Sequence, residues 1–159
     1  MRELTLQSEA EMEAFGRALA ETLEPGDVLA LAGDLGAGKT TLTKAIAAGL
    51  GVTEPVTSPT FTIVTEHRSG RIPLFHFDVY RLEDGQEFLD LGGDEYLDAG
   101  GVSIIEWADR IAEILPDETK FIKLEYGQKE GERICQCLEG RRKNELAPGN
   151  PGVAERYEG

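Results

Sequence analysis

The sequence contains only two cysteines, Cys135 and Cys137, and they stand two positions apart. In a strand, residues at this spacing lie on the same face, a geometry that suits neither an internal disulfide nor a complete zinc site. We therefore interpret them as two small apolar side chains of a sheet.

Long apolar runs are also missing. No stretch of the sequence is both long and apolar enough to cross a bilayer, and Met1 to Thr5 do not open an apolar segment of the signal-peptide type. From these two absences we expect a cytoplasmic protein without membrane contact.

Basic residues are scarce, with 16 Lys and Arg against 30 Asp and Glu and a formal net charge of −14. Proteins that bind nucleic acid directly use Lys and Arg to neutralise phosphates, so this balance argues against direct nucleic-acid binding. It also disfavours adsorption to an anionic membrane surface. A basic protein partner remains compatible with the charge, which would help to steer its approach.

The sequence does contain a phosphate-binding motif. Residues 33–40 match G-x-x-x-x-G-K-[ST], in which glycines let backbone N–H groups point at a phosphate and the next helix adds its N-terminus. Lys39 would reach the β- and γ-phosphates, and the Thr40 hydroxyl would hold Mg²⁺. A buried strand predicted at 27–32 and a helix predicted at 39–48 supply the required context, against the alternative of a glycine-rich turn that binds nothing. The predicted nucleotide-binding residues are Gly33, Asp34, Leu35, Gly36, Ala37, Gly38, Lys39, Thr40 and Thr41.

Two acidic residues stand at the ends of predicted apolar strands. Asp78 lies near the end of a strand predicted over 72–80, and Glu106 near the end of one predicted over 102–107. Nucleotide hydrolases commonly present a Mg²⁺-linked carboxylate in this way, so both residues are candidates. His76, two positions before Asp78, is interpreted as a packing residue rather than a ligand.

The remaining pattern predicts the fold class. An amphipathic helix over about 9–23 follows a Ser-x-x-Glu capping box, and strands at 61–66 and 72–80 suggest a hairpin. Together with two later strands, these elements predict an α/β fold of P-loop nucleotide-hydrolase type, with three layers and a mixed, largely parallel sheet flanked by helices. We predict one domain over 1–142 and a mobile tail over 143–159, where proline and glycine replace the apolar pattern.

Several motifs together closely resemble the bacterial TsaE (YjeE) family. They are Gly33–Thr41, Ser58–Thr62, His76–Leu82 and Ile105–Trp107, within a likeness that runs in order from Leu4 to Leu138. The resemblance implies a small ATPase needed to make N6-threonylcarbamoyladenosine at position 37 of certain tRNAs. It also implies partners, the TsaD and TsaB proteins, whose cycle the ATPase would drive or reset, so that tRNA is met only through the complex.

The resemblance also implies residue roles. Thr40 and Glu106 would bind Mg²⁺, and Asp78 would lie near the γ-phosphate of ATP as the catalytic base or water-orienting group. Glu9 and Arg133 fall at positions where the family contacts the nucleotide.

Three alternatives remain open at this point. A small-molecule kinase would need a second substrate pocket and usually a lid with several arginines, and the acidic segment 83–101, which might supply a lid, has no arginine. A GTP-dependent switch would need an Asn-Lys-x-Asp motif, which the sequence lacks. A nucleotide-regulated assembly factor with negligible turnover is the third alternative. The same acidic segment could be either a solvated face or a surface that binds a partner.

Overall fold

The structure, a computed structural model, describes residues 2–34, 36–59 and 63–139. The strands of this part of the chain are β1 (Arg2–Leu6), β2 (Val28–Gly33), β3 (Val64–His67), β4 (Leu74–Asp78), β5 (Val102–Glu106), β6 (Lys120–Tyr126) and β7 (Arg133–Glu139). The helices are α1 (Glu9–Glu21), α2 (Lys39–Gly49), α3 (Gly85–Asp90), α4 (Gly93–Leu97) and a 3₁₀ helix (Ala108–Ile114).

All seven strands form one mixed sheet, in the order β1-β7-β6-β2-β5-β4-β3. The four central strands, β6, β2, β5 and β4, run parallel to one another. β3 is added antiparallel at one edge, and β7 and β1 are added antiparallel at the other. The expected α/β fold is confirmed, with its parallel pairs at the centre of the sheet.

Helices cover both faces of the sheet, as the burial of the central strand β2 shows. Every residue from Val28 to Ala32 is buried, as expected for a parallel strand with both faces covered. Leu29 packs with residues of α1 and α2, whereas its neighbour Ala30 packs with Phe88 of α3 and Ile111 of the 3₁₀ helix. The sheet therefore lies between two hydrophobic clusters, which makes three layers.

Helix α1 begins at the predicted capping residue, where the Ser8 hydroxyl accepts a hydrogen bond from the Glu11 N–H at 3.2 Å. It ends at Glu21, slightly before the predicted end, and the guanidinium of Arg71 donates to the Ala20 carbonyl at 2.5 Å. This contact ties the β3–β4 turn to the last turn of α1, where backbone carbonyls lack helical partners.

Strand β1 was absent from the sequence prediction. Only its alternate residues Leu4 and Leu6 pack against the core, and its partner in the sheet, β7, lies at the far end of the described chain. A five-residue edge strand with three charged or polar positions carries little local signal. The pairing therefore comes from tertiary contact rather than local pattern.

Some predictions fall outside the described residues, namely those on Leu35, on positions 60–62 and on the tail at 143–159. Within the described ranges, β3 begins at Val64 and pairs antiparallel with β4, which confirms the hairpin. In the same ranges, no helix has the length and apolar character needed to cross a membrane.

Candidate nucleotide-binding site

The phosphate loop joins the carboxyl end of β2 to the start of α2. Gly38 caps α2 with a left-handed backbone, at φ 110°, and Gly36 has φ 79°. Side-chain-bearing residues rarely adopt these angles, so the turn favours glycine at both positions. The first N–H groups of α2 have no partner within the helix and are free to bind an anion.

Lys39 folds back onto this loop. Its Nζ donates hydrogen bonds to the carbonyls of Gly33 and Asp34, at 2.7 Å and 2.9 Å, and lies 3.8 Å from the ring centroid of Trp107. Burial lowers the pKa of Lys39, because the ammonium loses more from desolvation than it gains from the nearby carboxylates, first among them Glu106. The ammonium is thus a buried cation that a polyphosphate could recruit.

Glu106 lies opposite the loop, at the carboxyl end of β5. Its side chain is buried, and its two oxygens have different partners. Oε1 accepts a hydrogen bond from the Thr40 hydroxyl at 3.1 Å, and Oε2 lies 2.5 Å from Nε2 of His76. Thr40 and Glu106, two candidates from distant parts of the sequence, are therefore brought into direct contact.

Asp78 lies beside Glu106, since the two are register partners across β4 and β5. Its Oδ2 accepts a hydrogen bond from the Ser58 hydroxyl at 2.9 Å, and its Oδ1 accepts one from the Tyr80 N–H at 3.0 Å. These two bonds fix the carboxylate without using all of its acceptor capacity.

One cleft of about 460 Å³ brings these groups together. It is bounded by the phosphate loop, by Ser58, by the ends of β4 and β5, and by the rings of Tyr80 and Trp107. The two rings are in contact at a centroid distance of 4.8 Å, with their planes tilted by 56°. The arrangement combines a phosphate cradle, a cation and two carboxylates at the carboxyl edge of a parallel sheet, which is where α/β proteins bind ligands.

The oxygens of Thr40 and Glu106 fit a Mg²⁺ ion. Two neighbouring ligands of octahedral Mg²⁺, each about 2.0–2.1 Å from the ion, stand about 3 Å apart. The observed separation of Thr40 Oγ1 and Glu106 Oε1 is 3.1 Å. In residues 2–34, 36–59 and 63–139 there is no group of three or more His, Cys, Asp or Glu side chains that could hold a metal ion.

Glu9 and Arg133 line a second, smaller cleft of about 160 Å³. It borders the first, because Gly36, Gly38 and Thr41 line both. The guanidinium of Arg133 lies over the ring of Tyr126, at 4.6 Å from its centroid. Both predicted residues thus lie next to the phosphate loop, on the side away from Asp78.

The structure adds side chains that the sequence prediction left out. Trp107 has a left-handed backbone, at φ 63°, which is unusual for a bulky residue and turns its ring toward Lys39. Burial raises the pKa of Asp109, whose charge also acts on Lys39. His76, interpreted as a packing residue, is buried and in contact with Glu106. The position of His76 two residues before Asp78, on the same face of β4, is the only sequence feature that could have indicated its place at the site.

Comparison with known proteins gives consistent results. The family model described as "Threonylcarbamoyl adenosine biosynthesis protein TsaE" matches residues 6–135. The tRNA threonylcarbamoyladenosine biosynthesis protein TsaE of Bacillus subtilis (strain 168) is 48% identical over 132 residues, covering 83% of this chain and 82% of that protein. The protein of the same name from Nostoc sp. is 41% identical over 145 residues, covering 89% and 82%. A crystal structure of Bacillus subtilis YdiB superposes with a TM-score of 0.75 at 38% identity, covering 99% of this chain and 93% of that one.

Proposed function

The chain belongs to the TsaE family, and from this premise we propose that it is a Mg²⁺-dependent ATP-binding and ATP-hydrolysing protein of the cytoplasm. It would be required for forming N6-threonylcarbamoyladenosine at position 37 of tRNA, together with the TsaB and TsaD proteins. The observation that supports this most strongly is the contact between Thr40 of the phosphate loop and Glu106 of β5.

The triphosphate would lie along the start of α2. Lys39 would leave the two loop carbonyls and donate instead to phosphate oxygens, which carry more negative charge. Thr40 Oγ1 and Glu106 Oε1 would hold Mg²⁺, whose role when bound is to neutralise charge on the β- and γ-phosphates.

Asp78 is the proposed catalytic group. Its carboxylate is fixed by Ser58 and by the Tyr80 N–H, beside rather than within the Thr40–Glu106 pair. It would orient a water molecule toward the γ-phosphorus and accept its proton as the bond to the β-phosphate oxygen breaks, leaving ADP and phosphate. Ser58 lies in the connection between α2 and β3, so the position of Asp78 would be coupled to that of Ser58.

The two acids can be separated by substitution. Glu106→Gln should weaken Mg²⁺-dependent ATP binding as well as turnover. Asp78→Asn should keep much of the binding and lose mainly the chemical step, by about 10²–10⁴-fold for a general base. Calorimetric titration with ATP, with and without Mg²⁺, together with a phosphate-release assay, distinguishes the two. The reverse pattern would mean that the two roles are exchanged.

Hydrolysis should be measured for the protein alone, with the TsaB–TsaD pair, and with small phosphate acceptors. Stimulation by the pair supports the proposal, whereas stimulation by an acceptor supports a kinase. No turnover in any mixture, with ATP still bound, supports an assembly factor. Competition between ATP and GTP should favour ATP, since the sequence has no guanine-specific motif.

A further inference from the structure

His76 makes a contact that its sequence position alone does not explain. The residue is fully buried in β4, and its Nε2 is 2.5 Å from Oε2 of Glu106, which is itself buried. The tautomer with the ring proton on Nε2 makes this contact a hydrogen bond from the imidazole to the carboxylate oxygen. The second nitrogen, Nδ1, is buried and has no hydrogen-bond partner among the described residues.

The bond to His76 determines how the carboxylate of Glu106 is turned. Rotation about the last side-chain torsion of a glutamate is broad, so the side chain does not itself select one orientation of its two oxygens. Here Oε2 is held by His76, which leaves Oε1 facing the Thr40 hydroxyl at 3.1 Å. Without the imidazole, the carboxylate could turn and the spacing that fits neighbouring Mg²⁺ ligands would no longer be fixed.

We propose that His76 is a positioning residue for the metal site: it holds Glu106 Oε2 so that Oε1 and Thr40 Oγ1 face Mg²⁺·ATP together, without touching the nucleotide or the ion. The inference rests on the proposed function, because it concerns the metal that would accompany ATP. Hydrogen-bond partners of metal ligands commonly contribute about 10- to 100-fold to metal affinity.

The chain supplies its own control. His67 is also buried, and its Nδ1 lies 3.0 Å from Oε1 of Glu54, while its Nε2 lacks a hydrogen-bond partner in the described ranges. The two histidines thus share burial, a carboxylate partner and one unpaired nitrogen. They differ in location, because Glu54 lies in the α2–β3 connection and does not line the cleft around Thr40.

The experiment compares His76→Phe, His76→Gln and His67→Phe in the full chain. Calorimetry gives the ATP dissociation constant with Mg²⁺ and with EDTA. The ratio of the EDTA value to the Mg²⁺ value measures the contribution of the metal to ATP binding. His76→Phe should reduce this ratio by about 10- to 100-fold, with the EDTA value unchanged. His76→Gln keeps an N–H donor near the Nε2 position and should retain most of the ratio, while His67→Phe should leave it at the wild-type value.

A wild-type ratio in folded His76→Phe would overturn the inference, and so would an equal loss in His67→Phe, since that would reflect general loosening. If the wild type itself shows ATP binding without any Mg²⁺ dependence, or no ATP binding, the proposed function fails instead. Should His76→Phe not fold, long-range ¹H–¹⁵N spectra of the wild type decide: a proton on Nε2 supports the inference, and a proton on Nδ1 alone overturns it.

Discussion

Replacing Lys39 by Met should weaken ATP binding strongly and change the free energy of unfolding only slightly. The substitution removes the ammonium and keeps an unbranched side chain of similar length. In the structure the ammonium donates two hydrogen bonds and lies against the ring of Trp107. Hydrogen bonds to a charged group contribute about 1.5–3 kcal/mol each, and a desolvated cation–π contact about 2 kcal/mol.

Desolvation opposes these gains. Only 5% of Lys39 is exposed, and burial is the main reason that its pKa is lowered, despite four nearby carboxylates. The folded protein therefore disfavours the charged form relative to water, and the favourable contacts are largely offset. We expect Lys39→Met to change the free energy of unfolding by less than about 1 kcal/mol, which is about 2–4 °C in melting temperature for a chain of this length.

ATP affinity should respond far more strongly. Loss of one charge-assisted bond to phosphate, at about 1.5–3 kcal/mol, weakens binding by about 10- to 150-fold. Calorimetry and thermal denaturation measure the two effects, and Lys44→Met, an exposed lysine on the same helix, controls for the general loss of positive charge. Unchanged ATP affinity in folded Lys39→Met, or an equal loss in Lys44→Met, would refute the reasoning.

Three further predictions concern stability, and thermal denaturation tests each of them. Arg71→Ala removes the donor to the Ala20 carbonyl at the end of α1 and should lower the free energy of unfolding by about 1 kcal/mol; no change would mean that the contact is not maintained in solution. The hydrogen bond from Ser69 and, to a lesser extent, the contact with His67 lower the pKa of Glu54 below its ordinary value of 4.5. The ionised carboxylate therefore stabilises the fold above pH 4.5, and this stabilisation is lost as the pH falls through the pKa of the folded state. Glu54→Gln should therefore be less stable than the wild type at pH 7 and equal to it in acid, and a pH-independent difference would contradict this. Ending the chain after Arg142 should leave the melting temperature unchanged, because the segment removed has little apolar pattern; a large fall would show that the segment packs.

The sequence predicted those parts of the candidate site that follow from a motif or from the position of a residue at the end of a strand. Asp78 and Glu106 could be assigned to one site because each ends an apolar strand, and parallel strands end at the same edge of a sheet. The phosphate loop could be assigned from its motif, and the left-handed backbone at Gly36 and Gly38 shows the physical reason for glycine there.

Other features depend on distances that no local pattern encodes. The contact between His76 and Glu106 joins residues 30 positions apart and requires the register of β4 against β5. The left-handed backbone of Trp107 also had no sequence signal, because tryptophan does not favour that conformation. β1 required knowledge of its distant partner β7.

The pairing of β4 with β5 has a consequence for which changes in length the chain can tolerate. His76 and Asp78 share one face of β4, while Phe75 and Phe77 pack into the cluster on the other face. Because side chains alternate, a single-residue insertion or deletion inside β4 would exchange the two sets, carrying imidazole and carboxylate into an apolar layer and phenyl rings toward the phosphates. The turn at residues 68–73 has constraints of another kind, because Ser69 and Arg71 make hydrogen bonds to other parts of the chain and Ile72 is buried. Related chains should therefore keep a constant spacing from Leu74 to Asp78.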